Sequence, residues 1–430
     1  MTLIVYSGGL RSGILDMADG EPFYGFAYDG AYLARGDAFP LSLSLPLREE
    51  RFSGAESLPY FEGLLPEGEV RASIARQLGI SPNSPAGLLR ALGKDCAGDV
   101  TVLEEDDPYQ PPAEDSYAPL PEGLAAIARN PHGEIAHLRA DNRLSLAGGQ
   151  EKIGLYHDGR EPMDAGWHVP LEGSPSTHII KPQVLDAYPN LACNEYLCMK
   201  AAKLAGLAVA EVEILALERP MLVVERFDRA PTGRESRDGL QVFRRLRQED
   251  FCQALGFPSS RKYEMDGGPG VRDACGLLRA HSSSAIRDRD ELLRLLLFNF
   301  AIGNCDAHAK NLSIAIGSLG AVRLAPAYDL VSTTVYDRSY GSSLSRSLGM
   351  RIGEHANIDR VTRGDVKLLA GQAGVSPAYL QRIAEGVAGT LPACLDEAGR
   401  ILREQAPLDT GDLLRRITEG AKARLEILAG

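Results

Sequence analysis

Asp306, His308, Lys310 and Asn311 fall within six positions of one stretch, "AIGNCDAHAKNLS", which runs from Ala301 to Ser313. A carboxylate can take a proton, an imidazole can pass one on, an ammonium can meet an anion, and an amide oxygen can meet a hard cation. The segment just before them, "DELLRLLLFNFAIG", reads as a buried helix that ends at Gly303, because glycine tolerates the left-handed conformation of a helix C-cap. Polar groups at the exit of a rigid element are well supported for chemistry.

Asp306 precedes Asn311 by five positions. That is the offset of the catalytic loop H-R-D-x-x-x-x-N, in which the Asp accepts a substrate hydroxyl proton and the Asn binds Mg²⁺. A hairpin is predicted next, Leu312 to Ile316 against Ala321 to Leu324, followed by "PAYDL" with Asp329. An Asn carbonyl and an Asp carboxylate suit magnesium on ATP phosphates, since that ion prefers hard oxygen ligands. Taken alone, Asp306 and Asn311 are also the residue types that cap helices and turns, and His308 can simply hold a loop. Asp306 with His308 would fit a metal-dependent hydrolase too, although Cys305 and His308 lack the companions of a zinc site. The phosphoryl-transfer reading needs a phosphate-binding lobe upstream.

Candidates for that lobe occur in order. Ala147, Gly148, Gly149, Gln150, Glu151 and Lys152 form a glycine turn between two predicted strands, where backbone N–H groups can approach phosphate oxygens. Lys181 ends the strand "STHIIK", placed to reach α- and β-phosphates. Glu195, fourteen residues on and near the start of a helix, is a candidate partner for that lysine. Glu225, Arg226 and Phe227 in "VVERFD" stand where two lobes would join and could offer backbone groups to adenine. A glycine turn, a lysine, a hinge, Asp-x4-Asn and a second Asp follow one another as they do in kinases.

Composition bounds the setting. The 430 residues suffice for two or three packed domains, and no apolar run reaches the ~20 residues that cross a bilayer. No export signal is visible at "MTLIVYSGGLRSG", and the seven scattered cysteines lack a C-x-x-C pair, so they read as reduced cytoplasmic thiols. A net charge of -12 disfavours direct affinity for nucleic acid and would suit a basic protein partner.

Along the chain, residues 1–107 read as a β-rich subdomain with strands at "LIVYSG", "FYGFAY" and "LSLSLPL" (Leu41 to Leu47) and a helix near Glu67 to Leu78. Residues 108–142 open on a Pro-rich, acidic stretch and are assigned as a linker or surface excursion. Residues 143–228 make a strand-rich lobe, and from 229 to 430 helical signal dominates. The expected class is α+β: a bilobal protein-kinase-like fold with a β-rich N-terminal lobe, an extra N-terminal β subdomain and a mostly helical C-terminal lobe.

Longer motifs extend the pattern: "SLAGGQEK", "HIIK", "VERFDR", "QEDFCQALGFPSSRKYEMDGGPG", "GNCDAHAKN" and "PAYD", with "PLSLSLPL", "FEGLLPEGEVR" and "DCAGDVTVLEED" ahead of them. Together they resemble the HipA family of serine/threonine protein kinases, toxins of type II toxin–antitoxin modules, over nearly the whole chain. The resemblance implies that Asp306 is the catalytic base, that Asn311 and Asp329 hold Mg²⁺, and that Lys181 and the loop Ala147–Lys152 contact ATP phosphates. It further implies an adenine hinge at Glu225, Arg226 and Phe227, with His308, Lys310 and Asn311 completing the nucleotide contacts. Ser145 matches the family's autophosphorylation site, where a phosphoserine would add ~1.5 to 2 negative charges beside a phosphate loop and act as an off switch. The partners implied are a small helix-turn-helix antitoxin (HipB-like), which carries the complex to operator DNA, and an aminoacyl-tRNA synthetase as substrate. The segment after "MRIGEH" (Met350 to His355) lacks the lysine-rich patch of a DNA-touching member, so DNA contact is expected only through the antitoxin. The loop between Lys181 and Asn194 is short for the family. A kinase-shaped scaffold that only co-represses is the alternative, and it is disfavoured because Asp306, Asn311, Asp329 and Lys181 are all present.

Overall fold

A computed structural model of the chain describes residues 2–16, 25–107, 109, 116–120, 122–142, 146–184, 188–317, 319–336 and 344–430. The chain divides into two compact units: Met1–Pro182 with Val224–Ser259 and Ala315–Gly320, and Gln183–Val223 with Ser260–Ile314 and Ala321–Gly430.

The first unit begins with a five-stranded sheet in the order Phe52–Ser53, Gly25–Tyr28, Leu10–Asp16, Thr2–Ser7, Val100–Glu104. Its ladders are antiparallel, with Val5 opposite Gly13 on one side and Val102 on the other. Leu3, Val5, Leu15, Phe26 and Val102 pack in one core with Phe61 of the helix Gly54–Gly63 and Leu89 of the helix Pro85–Leu92. Leu3 and Val5 stand at period-2 spacing on one face, and Ile4 between them is buried too, so this strand is covered on both faces.

Two segments depart from expectation. "LSLSLPL" is no strand: a bridge joins Ser42 to Leu45 around a tight turn. The serines are polar for a reason other than facing water. Ser42 Oγ donates to Glu249 Oε2 (2.5 Å), the Leu43 N–H donates to Glu249 Oε1 (2.9 Å), and Ser44 Oγ donates to the Gln253 carbonyl (2.7 Å). The chain after Arg229 is likewise not helical at first. Arg229–Glu235 pairs antiparallel with Gln241–Arg245, and a strand Arg247–Asp250 precedes the helix Phe251–Leu255. The turn contains Asp238–Gly239 with Gly239 at φ +76°, a hairpin signal outweighed in reading the sequence by the helical pattern further on.

Residues 116–142 also carry regular structure. Ser116–Pro119 pairs with His168–Leu171, and two helices, Leu124–Arg129 and Pro131–Asn142, follow. Leu124, Ile127, Ala128 and Ile135 are buried there, so this stretch contributes to packing.

Glu249 yields a pH prediction. Burial pushes its carboxyl up to about 7 from an ordinary 4.5, with the bonds from Ser42 and Leu43 pulling the other way. A raised carboxyl pKa means that the folded chain binds a proton which the unfolded chain releases. Its contribution is therefore complete below pH 4.5 and is lost as pH rises through 7. Glu249→Gln cannot ionise; its Oε1 can still accept from the Leu43 N–H, while its Nε2 donates to Ser42 Oγ in place of accepting from it. Its stability relative to wild type should rise by up to roughly 3 kcal/mol between those limits. Urea midpoints at several pH values test this, and parallel curves for the two proteins would refute it.

The second unit is mostly helical. The long helix Pro377–Gln405 packs against the helices Leu191–Leu204, Ala285–Ile302 and Gly411–Ala429. Its start is set by Ser376, whose side chain accepts from the Tyr379 N–H, and by Pro377 in the first turn. The helix Ala285–Ile302 buries Leu292, Leu293 and everything from Leu295 to Ile302. No helix among the described residues is long and apolar enough to cross a membrane.

Candidate active site

The helix Ala285–Ile302 ends as expected at Gly303, in the left-handed conformation at φ +79°. A Cβ at Gly303 would come 2.1 Å from Thr334 Oγ1, so only glycine fits both the backbone and the space. The exposed carbonyls of this last turn are satisfied by the second unit. Ser332 Oγ donates to the Ile302 carbonyl (2.6 Å), the Thr334 N–H to the Gly303 carbonyl (3.1 Å) and Arg424 Nε to the Ala301 carbonyl (3.1 Å). Below the loop, Gly349 of the strand Ser347–Ile352 packs flush, since a Cβ there would lie 2.5 Å from the Ala307 backbone.

On this platform the polar cluster is ordered. The Asp306 N–H donates to Asn304 Oδ1 (3.0 Å), while the Asp306 carbonyl accepts from the His308 N–H (2.8 Å) and from Asn311 Nδ2 (2.9 Å). The Asp306 carboxylate itself is 55% exposed, whereas His308 is buried with Nε2 3.9 Å from Asp306 Oδ1. Lys310 is buried, and its carbonyl accepts from Tyr328 Oη (3.0 Å), which also bonds Ser313 Oγ (2.6 Å). Tyr328 thus ties the segment carrying Asp329 to the loop. Asp329 is half-buried and sits at φ +56°, a conformation that non-glycine residues adopt at some cost and that recurs at functional sites. The predicted hairpin between them is present as the neighbouring strands Ser313–Ile316 and Val322–Leu324.

Tyr263 escaped the sequence reading. Its hydroxyl donates to Asp306 Oδ1 at 2.5 Å, and its ring meets His308 edge to face at 4.9 Å. No spacing rule reaches across the 43 positions that separate it from Asp306.

The remaining expected residues, Glu195 apart, belong to the first unit. Gly148 adopts φ +105° and bridges to Pro66, and its carbonyl accepts from the Glu67 N–H (3.0 Å). A Cβ on Gly148 would approach Lys152 Nζ to 2.8 Å, so the loop lies close over that ammonium. Arg139 grips the other end, pairing with Glu151 Oε1 (2.6 Å) and bonding the Lys152 carbonyl. The strands Ile153–Leu155 and His178–Pro182 pair with Ile153 opposite Ile180. One further step in that register puts Lys152 opposite Lys181, on one face, and both are buried. Glu195, considered as a partner for Lys181, is buried in the second unit. Ala147, Gly149 and Gln150 complete the turn, and Ser145 lies outside the described residues.

Of the residues expected at a hinge, Arg226 faces inward. Its N–H donates to the Thr177 carbonyl (2.9 Å), and its guanidinium meets Asp228 Oδ2 (2.8 Å) and Ser176 Oγ (2.9 Å). Glu225 remains exposed.

As to a metal, no group of three His, Cys, Asp or Glu side chains gathers to hold one among the described residues. Magnesium does not need one, because it keeps waters and substrate phosphates around one or two protein oxygens. Asn311, whose Nδ2 is spent on the Asp306 carbonyl, and the Asp329 carboxylate are donors of the right hardness.

Comparison with known proteins defines the class. The model of the HipA-like C-terminal domain matches residues 144–395, and that of the HipA N-terminal domain matches residues 3–103. Y4mE of Sinorhizobium fredii, a kinase by its name, is 39% identical over 90% of this chain and 88% of its own length. The serine/threonine-protein kinase toxin HipA of Shewanella oneidensis is 32% identical over 78% of this chain and 76% of its own. The solved HipA chain from the Shewanella oneidensis complex of HipA, HipB and operator DNA superposes with a TM-score of 0.79 at 26% identity, covering 99% of this chain and 96% of that one. The chain belongs to the HipA family of serine/threonine kinase toxins, and it is a protein kinase with the family's kinase-like α+β fold. Kinase chemistry of this kind draws on a nucleotide and a metal ion in general.

Proposed function

We propose that the chain transfers the γ-phosphate of ATP to a serine or threonine hydroxyl on a protein substrate, with Asp306 as general base. The observation that carries this is an exposed carboxylate on a loop held through its backbone: Asn311 bonds the Asp306 carbonyl, and Gly303 ends the helix beneath. The substrate hydroxyl gives its proton to the Asp306 carboxylate as its oxygen attacks the γ-phosphorus. Lys152 and Lys181, side by side at one strand end, bind and orient phosphate oxygens under the turn Ala147–Lys152. Glu225 and Phe227 serve the adenine, with Arg226 bracing them from within. Asn311 and Asp329 would hold Mg²⁺, which neutralises phosphate charge when bound, and His308 and Lys310 shape the loop beside the nucleotide.

In the cell the substrate is an aminoacyl-tRNA synthetase, whose modification halts translation and arrests growth in the cytoplasm. The restraining partner is a small HipB-like antitoxin, through which the chain reaches DNA. HipA of Shewanella oneidensis has been solved with HipB and operator DNA, which supports that partnership. Phosphorylation of Ser145 would end the activity by placing a dianion beside a loop built for phosphate. Brief induction of wild type and of Asp306→Ala, followed by phosphoproteomics, tests the assignment. A new phosphoserine on a tRNA synthetase in wild type alone is expected. Identical phosphoproteomes would overturn it, and failure of the purified, dephosphorylated chain to bind ATP would favour a co-repressing scaffold.

A further inference from the structure

We infer that Tyr263 is a positioning residue for the phosphoryl transfer, fixing which oxygen of Asp306 meets the substrate; this rests on the assignment of Asp306 as base. Two groups converge on the same carboxylate oxygen. Tyr263 Oη donates to Oδ1 at 2.5 Å, and His308 Nε2 stands 3.9 Å from that atom. An O–H donor to a carboxylate is among the stronger and more directional hydrogen bonds. With Oδ1 engaged, Oδ2 is left for the incoming hydroxyl on a side chain that is 55% exposed. The Asp306 carboxylate would otherwise turn freely about its last bond, and Tyr263 removes that freedom.

Tyr263 is itself held. Its carbonyl accepts from the Asp266 and Gly268 N–H groups (3.0 Å each), and the preceding Lys262 carbonyl accepts from the Ala309 N–H (3.3 Å). The following residue, Glu264, accepts from the Arg351 N–H (2.6 Å) and Nε (3.0 Å), on the strand that packs beneath Ala307. Hydroxyl, ring and backbone are thus each tied to the catalytic loop or its support.

The step it serves is complete in atoms. The substrate O–H bond breaks with its proton going to Asp306 Oδ2, an O–P bond forms to the γ-phosphorus, and the bridging P–O bond breaks with its electron pair leaving on ADP.

The test compares wild type, Tyr263→Phe and Asp306→Asn as dephosphorylated full-length chains. Initial rates of label transfer from γ-labelled ATP into protein are measured in a lysate of cells lacking the chain, across ATP concentrations. Tyr263→Phe keeps the ring against His308, so thermal stability should match wild type. Its kcat should fall about 10- to 100-fold, the loss that a misplaced reacting group brings, with KM for ATP within about twofold. An unchanged kcat, or a fall in which KM and melting temperature move together, overturns the positioning role while leaving Asp306 as base. An Asp306→Asn chain that still transfers label, or a wild type that transfers none, defeats the base assignment and the inference with it.

Discussion

Asp306→Asn should leave a folded chain that transfers phosphate at least about 100-fold more slowly than wild type. An amide keeps the volume and can still accept the Tyr263 hydroxyl bond, but it cannot take a proton at neutral pH. The side chain is 55% exposed, so no buried contact is lost. The bonds that shape the loop run through the Asp306 backbone N–H and carbonyl and are untouched. Label transfer measured beside thermal melting separates chemistry from folding. A rate within tenfold of wild type would show that the proton goes elsewhere.

Asp95→Ala should have the largest effect on stability. Asp95 lies in the first unit among Arg226, Arg229 and Arg245, and it, Arg226 and Arg229 are almost fully buried. Its Oδ1 accepts from Arg229 Nη2 (2.9 Å) and Arg245 Nη2 (2.8 Å), and its Oδ2 from Ser176 Oγ (2.7 Å). Burial alone would push this carboxyl up, but Arg245, Arg229 and Arg226 together hold it well below the usual carboxylate range. Burial and the charge of Arg226 pull Arg229 down as well, to about 10. Removing Asp95 leaves Arg226 and Arg229 with Asp228 as their neighbouring carboxylate and takes from Arg245 its ion pair with Asp95. Breaking one partner of a buried ion network costs about 3–5 kcal/mol, because the remaining charge stays desolvated. The urea transition of the first unit should move by that amount, and a loss under about 1 kcal/mol would mean that water reaches the cluster.

The parts of the fold that could be read from sequence were those governed by neighbours in sequence. An apolar run closed by Gly303 predicted a helix end to the residue, since both its burial and its cap are local signals. Lys181 at a strand end followed from the β-branched residues before it. Ser42 and Ser44 could not be read correctly, because their partners are the Glu249 carboxylate, 207 positions from Ser42, and the Gln253 carbonyl, 209 positions from Ser44. Arg226, read as part of a hinge, also sits in a buried ion network with Asp228 two residues on and with Asp95, and the contact with Asp95 is set by tertiary structure. Tyr263 sat inside a quoted motif, yet its bond to Asp306 depends on how two loops of the second unit pack. Of the candidate site, the loop Asp306–Asn311 was legible as an offset, while the orientation of its carboxylate was not.

The most direct test of the account is a crystal structure of the full chain with a non-hydrolysable ATP analogue and Mn²⁺ in place of magnesium, located by its anomalous signal. One cation is expected between Asn311 Oδ1 and the Asp329 carboxylate, touching the analogue's phosphates, with Lys181 on those phosphates and Asp306 facing the terminal one. Manganese bound away from both Asn311 and Asp329, or an analogue whose terminal phosphate lies out of reach of Asp306, would contradict it.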